Sequence, residues 1–178
     1  MKKIGIIFLM LLFFTSYSQD NRGYIVSLNE QAPNFMLPLN EHELFELEQY
    51  KGKVIMIQFT ASWCSVCMKE MPFIEKEIWQ KHKNNDDFIL IGLAKDTEKR
   101  NQREQEIQLM INQTGVTYPI ISDYNSKIFN LFAEEKAGVT RNIIIDKNGQ
   151  IAFLTRLFER EEFNEMKNII NELLKKKD

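Results

Sequence analysis

The feature that most limits the possible fold and function of this chain is the segment Trp63-Cys64-Ser65-Val66-Cys67. It holds the only two cysteines among 178 residues. It follows an apolar run at 54–59 and opens a helical pattern, so both thiols are predicted at a strand-to-helix turn. At such a turn, helix N–H groups stabilise a thiolate, and the second sulfur lies one turn away to close the ring. This placement favours a redox site. A metal site and a structural disulfide are the alternatives, although a ring of four residues constrains the unfolded chain little.

The N-terminus has the pattern of a secretory signal. Lys2 and Lys3 precede an apolar stretch at 4–14, and small residues follow at 16–18. We predict a signal peptide over residues 1–18, cut before Gln19, and therefore a periplasmic or otherwise exported protein. A membrane anchor is disfavoured, because the stretch is well short of the about 20 residues that span a bilayer. Cleavage removes two lysines and no acid, which takes the formal charge from −2 to −4.

Charge and cysteine usage narrow the function classes. Basic and acidic residues are interleaved along the whole chain, so no binding to nucleic acid is predicted. An exported chain whose cysteines form one CxxC pair has none left for structural staples, so its thiols are expected to serve chemistry or metal binding. We expect a monomer with no metal and no cofactor other than the redox-active disulfide Cys64–Cys67.

Hydrophobic patterning predicts one domain over residues 32–178, after a loose polar lead-in at 19–31. Buried strands are expected at 54–60 and 88–94. Between them, a helix over 64–83 contains Pro72, which should kink it.

The second half of the chain is predicted in the same way. Thr97 is a candidate N-cap for a helix to residue 113 that Gly115 ends. Residues 142–145 and 150–156 flank a DxNG turn and predict a hairpin, and an amphipathic helix covers 161–175. Alternating strands and helices followed by a hairpin and a final helix predict an α/β fold. Its sheet is mixed and carries helices on both faces.

The chain resembles the thioredoxin superfamily, and within it the TlpA/ResA-like periplasmic thiol-disulfide oxidoreductases, from about residue 32 to the C-terminal helix. The segments that carry the resemblance are Ala32-Pro33-Asn34-Phe35, Lys51-Gly52-Lys53-Val54 through Phe59 to Cys64, Cys64 to Pro72 in the form CxxCxxExP, Tyr118-Pro119 with Asp123, and Ile145 to Gly149. A lone CxxC would be a weak signal, whereas WCxxCxxExP after an apolar strand is strong.

The resemblance implies roles for individual residues. Cys64 is similar to the exposed nucleophile of the family, Cys67 to its buried resolving thiol, and Trp63 to the tryptophan that borders the disulfide. Glu70 matches an acidic residue that relays protons to and from the thiols. The alternative for Glu70 is an ordinary surface glutamate. Gln58 falls where cytoplasmic thioredoxins keep a buried acid, so Glu70 would serve alone.

One position departs from the family pattern. The cis-proline that packs beside the family disulfide and shapes the backbone for substrate pairing is replaced by Thr140. Together with Trp63, the candidate substrate-binding residues are Val139, Thr140 and Arg141. We expect a trans peptide at Val139–Thr140, because a non-proline cis bond costs about 2.5–4 kcal/mol. We also expect weak reduction of general protein disulfides, thiols that are more open to metal, or an Arg141 side chain brought towards Cys64.

The leading function is thiol-disulfide exchange with protein partners, with a role in cell redox homeostasis. Ser65-Val66 supplies no group that would strongly stabilise a Cys64 thiolate, so a reducing to intermediate poise is expected. The resemblance implies a membrane thiol donor, and apocytochrome c or periplasmic disulfides as substrates, hence a role in cytochrome c maturation.

Two other functions are considered. A Sco-like metal-binding or copper-delivery module needs a late histidine, but the only histidines are His42 and His82. A straight helix would put His82 about 27 Å from Cys64, at about 1.5 Å per residue. A peroxiredoxin-like peroxidase would need Thr-x-x-Cys, and Thr60 lies four residues before Cys64.

Overall fold

The computed structural model describes residues 22–39 and 43–176. The predicted signal peptide and His42 lie outside these residues. Within them, no helix is both long enough and apolar enough to cross a bilayer.

The core is a five-stranded mixed sheet in the order β5-β4-β3-β6-β7, which confirms the predicted α/β fold. Strands β3, β4 and β5 run parallel, and β6 and β7 run antiparallel to their neighbours. The central strand β3 is buried along its whole length, as its apolar, β-branched sequence predicts. The strands are β3 (Val54–Thr60), β4 (Phe88–Lys95), β5 (Ile120–Asp123), β6 (Arg141–Ile145) and β7 (Ile151–Leu154). A separate two-stranded sheet pairs β1 (Met36–Pro38) with β2 (Leu44–Glu46).

Helices cover both faces of the large sheet. The face formed by Met56 and Ile144 packs against α1, α3 and α5, and the opposite face packs against α4 and the N-terminal segment. The irregularity expected at Pro72 takes the form of a π-helical turn, Glu75–Trp79, immediately after α1. The helices are α1 (Ser65–Ile74), α2 (Gln80–His82), α3 (Glu104–Thr114), α4 (Phe129–Phe132) and α5 (Arg160–Lys175).

The predicted start of α3 is wrong. The Thr97 hydroxyl accepts the N–H of Arg100, so Thr97 closes a local turn and caps no helix. The helix begins at Glu104, where Arg103 is the N-cap residue and its N–H donates to the Glu106 carboxylate. The predicted end is confirmed, because Gly115 takes the left-handed conformation with φ of 70°.

The described part of the predicted lead-in, residues 22–31, is not loose. Tyr24 is buried against the α4 side of the sheet, and its hydroxyl donates to the Thr155 carbonyl. The Ile25 N–H donates to Phe132 O at 2.9 Å, which fixes the backbone there. The segment is ordered rather than loose because the Tyr24 ring packs in an apolar site and its hydroxyl has a hydrogen-bond partner.

Candidate functional site

The two cysteines lie where β3 gives way to α1, as predicted. Cys64 is the N-cap residue of α1 with extended backbone angles, and its Sγ accepts the N–H of Cys67 at 3.2 Å. The two residues form a disulfide with Cα atoms 5.3 Å apart. Cys67 is buried and Cys64 is half-buried. A partner molecule can therefore reach the Cys64 sulfur more easily than the Cys67 sulfur.

The turn before Cys64 is held by a buried side chain from another loop. Gln102 accepts the Ser62 N–H through Oε1 at 2.7 Å and donates from Nε2 to Ser62 Oγ at 3.0 Å. The next residue, Trp63, is 41% exposed and lies under the Arg100 guanidinium at 4.4 Å from its ring centroid. Trp63 thus borders the disulfide on the solvent side.

Thr140 lies against both sulfurs. Its Oγ1 is 3.2 Å from Cys64 Sγ and 3.3 Å from Cys67 Sγ. The described residues contain no cis peptide bond, so the expected trans geometry at Val139–Thr140 is confirmed. The neighbouring Val139 has a buried side chain, and no backbone hydrogen bond outside the helices and sheets of the described residues involves it. The residue as a whole is 4% exposed, so a role of Val139 in binding a substrate stays a prediction.

Arg141 does not turn towards Cys64, which corrects its placement among the substrate-binding residues. The side chain is 1% exposed and packs over the Tyr24 ring. Nε donates to Gly138 O at 2.9 Å, and an Nη atom donates to Arg22 O at 2.7 Å. Successive strand residues point to opposite faces, so Arg141 faces away from the side that Thr140 faces.

Glu70 is buried rather than on the surface. It lies one turn after Cys67 on the inner face of α1 and is 1% exposed. Asn142 donates from Nδ2 to Glu70 Oε1 at 2.7 Å and to Thr155 Oγ1 at 3.0 Å, which fixes the orientation of its amide. Gln58, the cross-strand neighbour of Asn142, accepts the Tyr118 hydroxyl at 2.7 Å.

Burial raises the pKa of Glu70 to about 8, and this effect outweighs the amides of Asn142 and Gln58, which lower the pKa. Within the described residues, Gln58 Nε2 and Glu70 Oε2 each lack a hydrogen-bond partner. The Gln58 amide therefore lowers the pKa of Glu70 as a nearby dipole rather than through a well-formed hydrogen bond. Burial also raises the pKa of Tyr118 well above its usual value, which keeps its hydroxyl a donor. Glu70 is therefore mostly protonated at neutral pH and can exchange a proton near pH 8.

Sequence reasoning did not assign the amides around Glu70. Asn142 was available as a signal, because it is a polar residue opening an otherwise apolar strand. Gln58 was identified only as the replacement of an acid. Their convergence on Glu70 depends on the register that pairs β3 with β6.

Among the residues that the structure describes, neither alternative function gains a residue at the site. The Thr60 hydroxyl contacts the sulfurs of Met71 and Met110 in the core. His82 ends α2 and packs near the Phe88 ring. Residues 22–39 and 43–176 contain no group of three or more His, Cys, Asp or Glu side chains that could hold a metal ion.

The sequence of the chain is similar to those of known proteins. The family model described as Redoxin matches residues 27–170. The thiol-disulfide oxidoreductase ResA of Bacillus thuringiensis (strain Al Hakam) is 28% identical over 126 residues, which are 71% of this chain and 68% of that protein.

Solved structures match as well. The solution structure of a "putative protein disulfide isomerase" from Bacteroides thetaiotaomicron has a TM-score of 0.80 and 48% identity, covering 86% of this chain and 94% of the other. A thiol:disulfide interchange protein of the thioredoxin family from Chlorobium tepidum TLS has a TM-score of 0.63 and 20% identity over 84% and 99% of the two chains, and it supports the fold alone. Together these matches confirm the resemblance to ResA-like proteins of the thioredoxin superfamily.

Proposed function

The chain belongs to the Redoxin family, and from this premise we propose that it is an exported thiol-disulfide oxidoreductase acting on protein disulfides through Cys64 and Cys67. The observation that carries the proposal is the pair itself. A half-buried sulfur at a helix N-terminus is joined to a fully buried sulfur one turn later, with the Thr140 hydroxyl beside both.

The reaction begins from the reduced pair. The Cys64 thiolate, stabilised by the Cys67 N–H and the helix N-terminus, attacks one sulfur of a partner disulfide and releases the other as a thiolate, which takes a proton from solvent. The Cys67 thiol then loses its proton and attacks Cys64 Sγ. This step releases the reduced partner and leaves the Cys64–Cys67 disulfide, so two electrons pass from protein to partner. A second dithiol must reduce the pair again.

Glu70 supports the proton step at Cys67. The two residues share the inner face of α1 three positions apart, and both are buried from solvent. An ionised Glu70 carboxylate takes the Cys67 proton, and the protonated form returns one when the disulfide is reduced. Because the pKa of Glu70 is about 8, the resolving step should speed up as pH rises through this value.

The partners follow from the same chemistry. The ResA relatives support protein thiols and disulfides as the substrate class. Apocytochrome c and a membrane thiol donor are the specific candidates that we propose, on the family resemblance alone. The pattern at residues 1–18 supports export to the periplasm. The monomeric state and the absence of a cofactor stay predictions.

The test is a trapping experiment with the mature chain. Cys67→Ser should accumulate a mixed disulfide between Cys64 and its partner, because the resolving thiol is gone. Cys64→Ser is the matched control and should trap far less. The captured partner is then identified by mass spectrometry.

Insulin reduction and hydroperoxide consumption are measured in parallel on the unmodified chain. We expect insulin reduction that depends on both cysteines. Equal trapping by the two variants, or hydroperoxide consumption without insulin reduction, would contradict the proposal.

A further inference from the structure

The Thr140 hydroxyl contacts the two sulfurs of the redox pair. It lies within hydrogen-bond distance of both sulfurs, and within the described residues it has no other hydrogen-bond partner. The residue is 4% exposed, so water has little access to the hydroxyl. Its proton is therefore directed at one sulfur or the other.

We propose that Thr140 is a catalytic residue whose hydroxyl donates a hydrogen bond to whichever of the two sulfurs carries negative charge. This inference rests on the proposed thiol-disulfide exchange and adds a residue to it. Hydrogen bonds to an ionised acceptor are about twice as strong as neutral ones, and burial strengthens them further. Because Oγ1 already lies within reach of both sulfurs, a rotation of the hydroxyl hydrogen about the Cβ–Oγ1 bond is enough to transfer the donor from Cys64 to Cys67.

The two sulfurs depend on this donor unequally. Cys64 Sγ also accepts the N–H of Cys67, whereas Thr140 is the one hydrogen-bond partner of Cys67 Sγ within residues 22–39 and 43–176. The Cys67 thiolate forms in a buried site, where a charge without a donor is costly. The hydroxyl therefore contributes most to the resolving step, in which the proton leaves Cys67 and its thiolate attacks the mixed disulfide.

The first test measures the Cys64 thiolate alone. In a Cys67→Ala background, we compare the pH dependence of iodoacetamide alkylation for Thr140, Thr140→Val and Thr140→Ser. Thr140→Val should slow alkylation at pH 7 about tenfold, which corresponds to about 1.4 kcal/mol, and move the profile to higher pH. Thr140→Ser keeps the hydroxyl and should retain the profile. Thr60→Val is a matched control, because it removes a buried hydroxyl that contacts thioether sulfurs only.

The second test measures the resolving step with both cysteines present. Thr140→Val should accumulate mixed disulfide with a model substrate, because resolution slows more than the tenfold expected for attack. Thr140→Pro also lacks the hydroxyl and should share this defect, even if it improves docking of general substrates. The proposal would be overturned if the pH profile of Cys64 alkylation for Thr140→Val overlays that of the chain with Thr140, while near-UV circular dichroism shows an unchanged fold.

Folding and function are kept separate in this design. If Thr140→Val does not fold, the comparison of Thr140→Ser with Thr140→Ala takes its place, and equal alkylation profiles for these two would also overturn the proposal. The alkylation assay needs no partner disulfide. A chain that reduces no disulfide but shows the Thr140-dependent profile would therefore refute the proposed function and support the donor.

Discussion

Two consecutive residues of β6, Arg141 and Asn142, are both polar and both buried, yet they belong to different parts of the molecule. Arg141 packs on Tyr24 and binds two carbonyls, which ties the N-terminal segment to the sheet. Asn142 binds Glu70 beneath the disulfide. The comparison shows that the direction of a side chain from the strand decides whether it contributes to anchoring or to chemistry.

The same alternation links Asn142 to Thr140. These two residues lie on the face that α1 covers, where Thr140 contacts the sulfurs and Asn142 contacts the carboxyl group. Thr140 and Asn142 therefore place one donor beside the two sulfurs and one beside the Glu70 carboxyl group, and these are the groups that change charge during thiol exchange.

The largest expected effect is at Glu70. Burial raises its pKa from 4.5 to about 8, so folding takes up a proton between these values, and the free energy of unfolding falls as pH rises through this window. Glu70→Gln should remove this fall, on the order of 4 kcal/mol between pH 5 and pH 9. Urea unfolding at several pH values measures it.

The same variant tests the proton step. Glu70→Gln should slow disulfide exchange and remove the rise in rate near pH 8 while the fold stays intact. Met71→Leu, a volume-conserving change of the adjacent buried residue, is the control and should keep both pH dependences. Parallel stability curves for the Glu70→Gln and unmodified chains would show that burial does not raise this pKa.

The next effect separates Arg141 from the site. Arg141→Met keeps a long apolar stem but removes the two hydrogen bonds that Arg141 donates to Gly138 O and Arg22 O. We expect a loss of about 2–4 kcal/mol in the free energy of unfolding, with the alkylation profile of Cys64 unchanged. Arg141→Lys should lose less stability than Arg141→Met but not match arginine, because an ammonium group does not reproduce the guanidinium fork. A change in the alkylation profile at equal folding would return Arg141 to the redox site.

Much of the fold was predictable because its signals are local. Strand β3 was predicted with the observed bounds, since a mostly apolar, β-branched run between a glycine turn and the cysteines is typical of a buried strand. The start of α3 was not, because the Thr97 hydroxyl serves a turn as readily as a helix cap. The packing of Tyr24 was missed because its partners, Arg141 and Thr155, lie more than 100 residues away along the chain.

The site divides in the same way. The placement of Cys64 and Cys67 was predicted from motif and spacing, and the trans peptide before Thr140 from the cost of a non-proline cis bond. The shared hydroxyl of Thr140 was not predicted, because its position relative to two sulfurs depends on how β6 meets α1. The depth of Glu70 was left open, since a helix pattern alone does not show which face the sheet covers.

The smallest expected effect is at Asn142. Asn142→Leu removes the amide that donates to Glu70 while keeping the side-chain volume. Loss of this donor should raise the pKa of Glu70 further and move the rise in exchange rate to higher pH, with a stability change of about 1 kcal/mol. Thr155→Val is the matched control, because it removes the other partner of the Asn142 amide and leaves the bond to Glu70 in place. If Asn142→Leu moves only stability and Arg141→Met moves the pH profile, the assignment of the two faces is reversed.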